Sequence, residues 1–116
     1  MKLLRGMILH VNLDPTKGSE TGKLRPCVIV TNNVYNERVP VVQVVPITGW
    51  TEKKARIKTN ITLIPTAENG LIKKSIADCL QTRPIDIRYR LDTILGMLSE
   101  ENLIQINHAL RIVFDL

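Results

Sequence analysis

Aromatic side chains are scarce in this 116-residue chain: Tyr35, Trp50, Tyr89 and Phe114 are its only rings. A sheet that binds RNA by stacking several bases needs more of them, so any grip on nucleic acid has to run through phosphates and hydrogen bonds. Cysteine is limited to Cys27 and Cys79, both in apolar surroundings and without C-x-x-C or Cys/His spacing. Two buried free thiols in a reducing compartment are expected, rather than a disulfide or a metal site. No apolar run approaches the roughly 18 to 20 residues that span a bilayer, and even Val39 to Ile47 is broken by Pro40, Gln43 and Pro46. The opening segment is interrupted by Lys2, Arg5, His10 and Asn12, so it lacks the apolar centre of a secretion signal. A soluble, cytoplasmic protein without membrane contact is expected. Also missing are a Gly-rich phosphate loop, a His-rich metal motif and a nucleophile elbow, so no metal and no cofactor are expected.

The length suits a single domain, residues 1–116, and leaves no room for a two-domain dehydrogenase or kinase. With 44% hydrophobic and 23% charged residues, the chain can bury a modest core. Its net charge of +5 is unevenly placed. Residues 91–116 hold Arg111 against Asp92, Glu100, Glu101 and Asp115, a balance of −3, which leaves +8 on the first 90. A basic body with an acidic end points to an anionic partner, nucleic acid first, although solvated surface lysines give the same tally.

Met7, Leu9, Val11 and Leu13 alternate with Ile8, His10 and Asn12, predicting a strand over Gly6 to Leu13 with one apolar face and one half-polar face. Residues Asp14 to Lys23 collect turn-formers and predict a long mobile loop. Further strands are expected over Pro26 to Thr31, Val39 to Val45, Asn60 to Ile64, Ser75 to Gln81 and Leu91 to Leu98. A basic linker of Lys53, Lys54, Arg56 and Lys58 lies among them, and Arg83-Pro84-Ile85-Asp86 is expected to be a turn or helical stub. Ser99 followed by Glu100 and Glu101 predicts a helix start, with Leu103, Ile106, Leu110 and Val113 as its buried stripe. Five or six short strands and one helix imply an α+β, mainly β fold: a strongly bent antiparallel sheet or small barrel with the helix packed on it.

Candidate chemistry is sparse. His10 lies on the polar side of the first strand and has a convenient pKa for a general base, but a lone strand histidine is more often structural. Asp78 and Asp86 are suited to acid–base work, yet isolated carboxylates commonly pair with neighbours such as Arg83 or Arg88. Arg25 ends a loop where a strand begins, a place from which a guanidinium can hold a phosphate bidentately or simply make a surface ion pair. Thr48 beside Gly49 combines a hydroxyl with a glycine that admits close approach, or forms an ordinary turn. Trp50 is available to stack a base, or to fill part of the core.

Taken in order, Arg5-Gly6, Leu13-Asp14-Pro15-Thr16, Gly18-Ser19-Glu20, Arg25-Pro26, Pro46-Ile47-Thr48, Gln81-Thr82-Arg83-Pro84-Ile85-Asp86, Leu98-Ser99 and Asn107-x-Ala109-Leu110 resemble the MazF/PemK-family toxins. The resemblance spans nearly the whole chain. It implies a small SH3-like antiparallel barrel with a C-terminal helix and a two-fold homodimer. It also implies a metal-independent endoribonuclease that cuts single-stranded RNA until a cognate antitoxin occupies its groove. It carries a catalytic role to Arg25 and Thr48, substrate contacts to Gln81 and Arg83, and substrate closure to Gly18, Ser19 and Glu20. One departure stands out. Many relatives have an acid immediately before the glutamine, whereas this chain has Leu80, with Asp78 two residues earlier, so the acid–base pair of the plasmid Kid/PemK branch does not carry over.

The implied chemistry needs no protein nucleophile. A ribose 2′-hydroxyl attacks its own neighbouring phosphate, which requires in-line positioning, stabilisation of the phosphoryl oxygens and proton transfer at both ends. Arg25 fits the charge stabilisation and Thr48 the positioning, leaving His10 and Glu20 as candidate proton acceptors. Two other readings compete: a gyrase poison like CcdB, whose tryptophan-containing tail has no match in Arg111 to Leu116, and a non-catalytic RNA-binding barrel.

Overall fold

The computed structural model describes residues 2–116. Seven strands form in chain order: β1 Met7–Asn12, β2 Leu24–Ile29, β3 Val41–Gly49, β4 Asn60–Leu63, β5 Ser75–Asp78, β6 Arg83–Asp86 and β7 Leu91–Met97. Three short helices intervene, α1 Asn33–Arg38, α2 Glu52–Ala55 and α3 Ile87–Arg90, and α4 Glu100–Phe114 ends the chain. All the strand pairings are antiparallel, in the order β4-β5-β3-β2-β1-β7, with β6 also on β3. The mainly β architecture and the terminal helix agree with expectation, with one strand more than the sequence suggested.

That extra strand is β6. The turn or helical stub expected at Arg83–Asp86 is an extended segment pairing Val41 with Asp86 and Val44 with Arg83. Along the same edge, β3 then pairs with β5, from Ile47 opposite Ala77 to Gly49 opposite Ser75. The predicted strand to Gln81 thus stops at Asp78, and a 3-10 turn over Cys79–Gln81 carries the chain from one partner of β3 to the next position along it. β3 itself runs through Pro46 to Gly49, beyond the expected end at Val45.

Two apolar clusters explain why the central strands hold so firmly. Ile8, Val28, Val45 and Ile47 join Leu63, Ala77, Cys79, Ile106 and Ala109 in one cluster, under α4. Leu9, Val11, Cys27, Ile29, Val42 and Val44 join Leu13 and Ile85 in the other. Alternation along a strand sends successive side chains to opposite faces, so β1, β2 and β3 are buried on both. The half-polar face expected for β1 is what forms: Ile8 is fully buried, His10 half-buried and Asn12 exposed. Helix α4 starts as predicted, with the Ser99 hydroxyl accepting from the Asn102 N–H at 3.1 Å. Its stripe centres on Ile106 and Ala109, with Leu110 and Val113 half-buried against the core.

The two ends of the strand order meet through a turn. Met97 N–H donates to the Glu68 carbonyl at 2.8 Å, laying the Glu68–Gly70 turn against β7. The approach is backbone on backbone: a Cβ on Gly70 would lie 2.2 Å from the Leu95 carbonyl oxygen, and one on Gly96 would lie 2.2 Å from that of Glu68. Only glycine fits at either position.

Candidate functional site

The loop between β1 and β2 carries Gly18, Ser19 and Glu20, and its anchors decide where they stand. At its base, Leu13 N–H donates to the Lys23 carbonyl at 2.9 Å, and the Asp14 carboxylate accepts from Lys23 N–H at 2.9 Å. Arg90, at the end of α3, donates to the carbonyls of Asn12 and Asp14. At its middle, Gln81 donates from Nε2 to the Ser19 carbonyl at 3.1 Å and accepts from Thr21 N–H at 3.3 Å. A glutamine suits this latch because one amide offers both a donor and an acceptor. The segment expected to be a long mobile loop is thus tied at its base and again halfway along. Gly18, at its tip, has open space around it.

Glu20, Gln81 and Arg83 line one groove of about 380 Å³ together with Pro15, Thr21, Leu80 and Pro84. Glu20 accepts from Lys17 N–H at 2.7 Å, which steadies its carboxylate. Arg83 reaches from β6 to the Leu13 carbonyl at 3.0 Å. Arg25, at the start of β2, donates from Nε to the Gly22 carbonyl at 2.8 Å. It belongs to none of the three ion pairs among the described residues, which are His10–Asp92, Arg56–Glu52 and Arg88–Asp86. Cys27 lies within reach of both charges: burial pushes its thiol up to about 12, against the opposing pull of Arg83 and Arg25.

Thr48 lies near the end of β3, paired with Ile76 of β5, and Arg25 lies near the start of β2, paired with Val11 of β1. The β2–β3 ladder ends at Cys27 opposite Pro46, so Arg25 and Thr48 each lie two residues past its last pair, at the same end. Around Thr48 the structure assembles side chains that the sequence left unassigned. Lys54 Nζ donates to Thr48 Oγ1 at 3.4 Å and to the Gly49 carbonyl at 3.2 Å. The residue expected in a linker is on α2, whose start is marked by Thr51 followed by Glu52, a helix-start signal visible in the sequence. Asp78 connects this cluster to the groove. Burial raises its carboxyl above the usual range, while the backbone N–H groups of Gln81 and Leu80 and the Lys54 charge pull it back down.

Other candidates lie apart. His10 lines a separate, mostly apolar pocket of about 250 Å³ with Pro26, Leu71 and Leu95, and its Nδ1 is 3.4 Å from Asp92. Trp50 is held on two sides: its Nε1 donates to Thr62 Oγ1 at 3.2 Å, and the Lys74 ammonium sits 3.8 Å from the ring centroid. A cation already occupies one face that a base would need. Asp86 pairs with Arg88, which holds its carboxyl below the usual range. Both cysteines are free and buried. A cavity of about 660 Å³ beside α4 is lined by Arg5, Gln43, Thr82, Asn107 and apolar residues of the helix, and contains none of the expected site residues. Among the described residues, no group of His, Cys, Asp or Glu side chains is arranged to hold a metal ion, and no helix is long and apolar enough to cross a membrane.

With this geometry in view, similarity to known proteins has a definite reference. Residues 4–114 match the family described as PemK-like, MazF-like toxin of type II toxin–antitoxin system. An endoribonuclease MazF of Staphylococcus saprophyticus is 36% identical over 112 residues, 97% of this chain and 91% of that protein. The solved structure of Mycobacterium tuberculosis toxin MazF-mt6 superimposes with a TM-score of 0.76 at 27% identity, covering 95% of this chain and 97% of the other. A mycobacterial endoribonuclease solved in complex with its cognate antitoxin shares the fold, with a TM-score of 0.78 at 22% identity, over 98% and 96% of the two chains. The match runs through both core clusters, the latched loop and the end of β3, so the chain belongs to the PemK-like, MazF-like toxin family of type II toxin–antitoxin systems.

Proposed function

We propose that this chain is a metal-independent endoribonuclease toxin that cleaves single-stranded RNA, acting in the cytoplasm as a homodimer and silenced by a cognate antitoxin. The observation that carries the reading is that Arg25 and Thr48 each lie two residues past the last β2–β3 pair, Cys27 with Pro46, at the same end of that ladder; Glu20, Gln81 and Arg83 line a groove that supports it. Family membership and the relative named an endoribonuclease support the same activity.

In this mechanism the ribose 2′-oxygen forms a bond to phosphorus as the bond to the 5′-oxygen breaks. The 2′-proton leaves to an acceptor and the 5′-oxygen takes one up, giving a 2′,3′-cyclic phosphate and a 5′-hydroxyl. Arg25, with no carboxylate partner, neutralises the charge gathering on the phosphoryl oxygens and supplies the proton side of the leaving group. Thr48 donates a hydrogen bond that holds the phosphate in line. Of the two acceptors considered, Glu20 lines the groove and His10 faces another pocket, so Glu20 receives the 2′-proton. Gly18 and Ser19 close over the strand, and Gln81 and Arg83 contact it.

The test is incubation of the purified chain with a mixed-sequence RNA in EDTA, followed by end analysis of the fragments. Discrete cuts with cyclic phosphate ends, blocked by a 2′-deoxy substitution at the cut site, are expected. Intact RNA across varied sequences would refute the reading.

A further inference from the structure

We propose that Lys54 is a further catalytic residue of this reaction, a second cation that binds the scissile phosphate beside Thr48. The inference rests on the endoribonuclease reading above and assigns one more group to the same site.

The argument begins with how firmly Lys54 is held. Its backbone N–H donates to Thr51 Oγ1 at 3.1 Å, and its carbonyl accepts from Asn60 Nδ2 at 3.0 Å. A four-residue helix and a neighbouring strand thus fix its main chain on both sides. The side chain then turns back to the end of β3. An ammonium has three donors and no acceptor. One N–H meets Thr48 Oγ1 and one meets the Gly49 carbonyl, which leaves the third for a ligand.

Two consequences follow for Thr48. With a lone pair engaged by a cation, its hydroxyl hydrogen points elsewhere, and the group acts as a donor to substrate rather than as a proton acceptor. That agrees with the weak basicity of an alcohol. The second consequence concerns charge. The ion pairs among the described residues leave Lys54 without a carboxylate at contact distance, and its influence on Asp78 acts through space. Lys73 adds to the field, its Nζ 3.6 Å from where a Cβ on Gly49 would stand. Two ammonium groups crowd Gly49 in this way, and an anion lodged there relieves their repulsion. A phosphoryl oxygen hydrogen-bonded by Thr48 meets the free Lys54 N–H. With the Arg25 guanidinium of the proposed mechanism this makes a second cation, so the developing charge is shared rather than borne by one guanidinium.

The experiment measures single-turnover cleavage by the full chain on an RNA that the unaltered protein cuts, using Lys54→Met, Lys54→Gln and Lys54→Arg. Each substitution keeps the backbone hydrogen bonds of residue 54, and a thermal melt of every variant checks the fold. The rate at saturating RNA is expected to fall about 100-fold or more in the Met and Gln variants, the usual loss on removing one transition-state donor. Partial recovery is expected in the Arg variant. A Thr48→Val, Lys54→Met double variant is expected to lose less than the product of the two single losses, since both groups serve one phosphate. If the unaltered protein cuts no RNA, the endoribonuclease reading fails. If it cuts and folded Lys54→Met stays within threefold of it at saturation, or changes KM alone, the assignment of Lys54 is overturned.

Discussion

Removing the Gln81 side chain isolates the latch that holds the substrate-facing loop. Gln81→Ala deletes two hydrogen bonds, the 3.1 Å donation to the Ser19 carbonyl and the 3.3 Å acceptance from Thr21 N–H. A net hydrogen bond is worth about 0.5 to 1.5 kcal/mol, and the exposed position of the first favours the low end. Together they hold the loop by roughly 1 to 2 kcal/mol, a 5- to 30-fold bias toward the docked state. Amide exchange at Thr21 reads the bias directly, because its N–H has Gln81 as acceptor. In Gln81→Ala its protection is expected to fall by about that factor, while the Leu13 amide, bonded to Lys23 at the loop base, keeps its own. Gln81→Glu keeps the acceptor for Thr21 and loses the donor to Ser19, so it is expected to fall between the two. Thr21 exchange unchanged in Gln81→Ala would show that the loop is held by its base alone.

Three further outcomes concern stability. Ile106→Ala, at a fully buried position under the sheet, is expected to cost about 2 to 5 kcal/mol in urea titration; a loss under about 1 kcal/mol would contradict the core assigned to α4. Gly70→Ala and Gly18→Ala both place alanine at positive φ, but only the first meets a carbonyl at 2.2 Å. Gly18→Ala is expected to lose roughly 1 kcal/mol of backbone strain and Gly70→Ala at least about twice that, compared by thermal melts. Equal losses would refute the closure through the Glu68–Gly70 turn. Burial raises the Cys27 and Cys79 thiols to about 12 from 9.0. Above pH 9 the unfolded chain therefore releases protons that the folded chain keeps, and stability is expected to decline from there toward pH 12. A double Cys→Ala variant should show a shallower decline; an identical slope would count against protected thiols.

Elements with a long period or an unambiguous cap were legible in the sequence. β1 shows alternation, and α4 shows Ser99, two acids and a repeating stripe. The segments that escaped were short and depend on partners distant in the chain. β6 is four residues with a proline, and it is a strand only because β3 leaves an edge beside it. α1 takes its start from the Asn32 side chain accepting from Val34 N–H, and its six residues are too few for periodicity to register. Pro46 read as a strand end, yet Pro46 pairs with Cys27 in mid-strand. At the site, Arg25 and Thr48 stood out because each sits where a loop meets a strand, whereas Gln81 and the Gly18–Glu20 loop were marked only by the family resemblance. Lys54 did not, since in a run of basic residues nothing local marks the one whose chain bends back six positions to a threonine.

β3 is the one strand that borders both halves of the fold, with β2 along one edge and β6 then β5 along the other. Neither half can detach while leaving its counterpart intact, because the departing ladder strips the backbone partner that the remaining one shares. Thr48 lies past the last pair with β2 and is braced by β5 and by Lys54, so whatever loosens the short β5 ladder reaches this hydroxyl first.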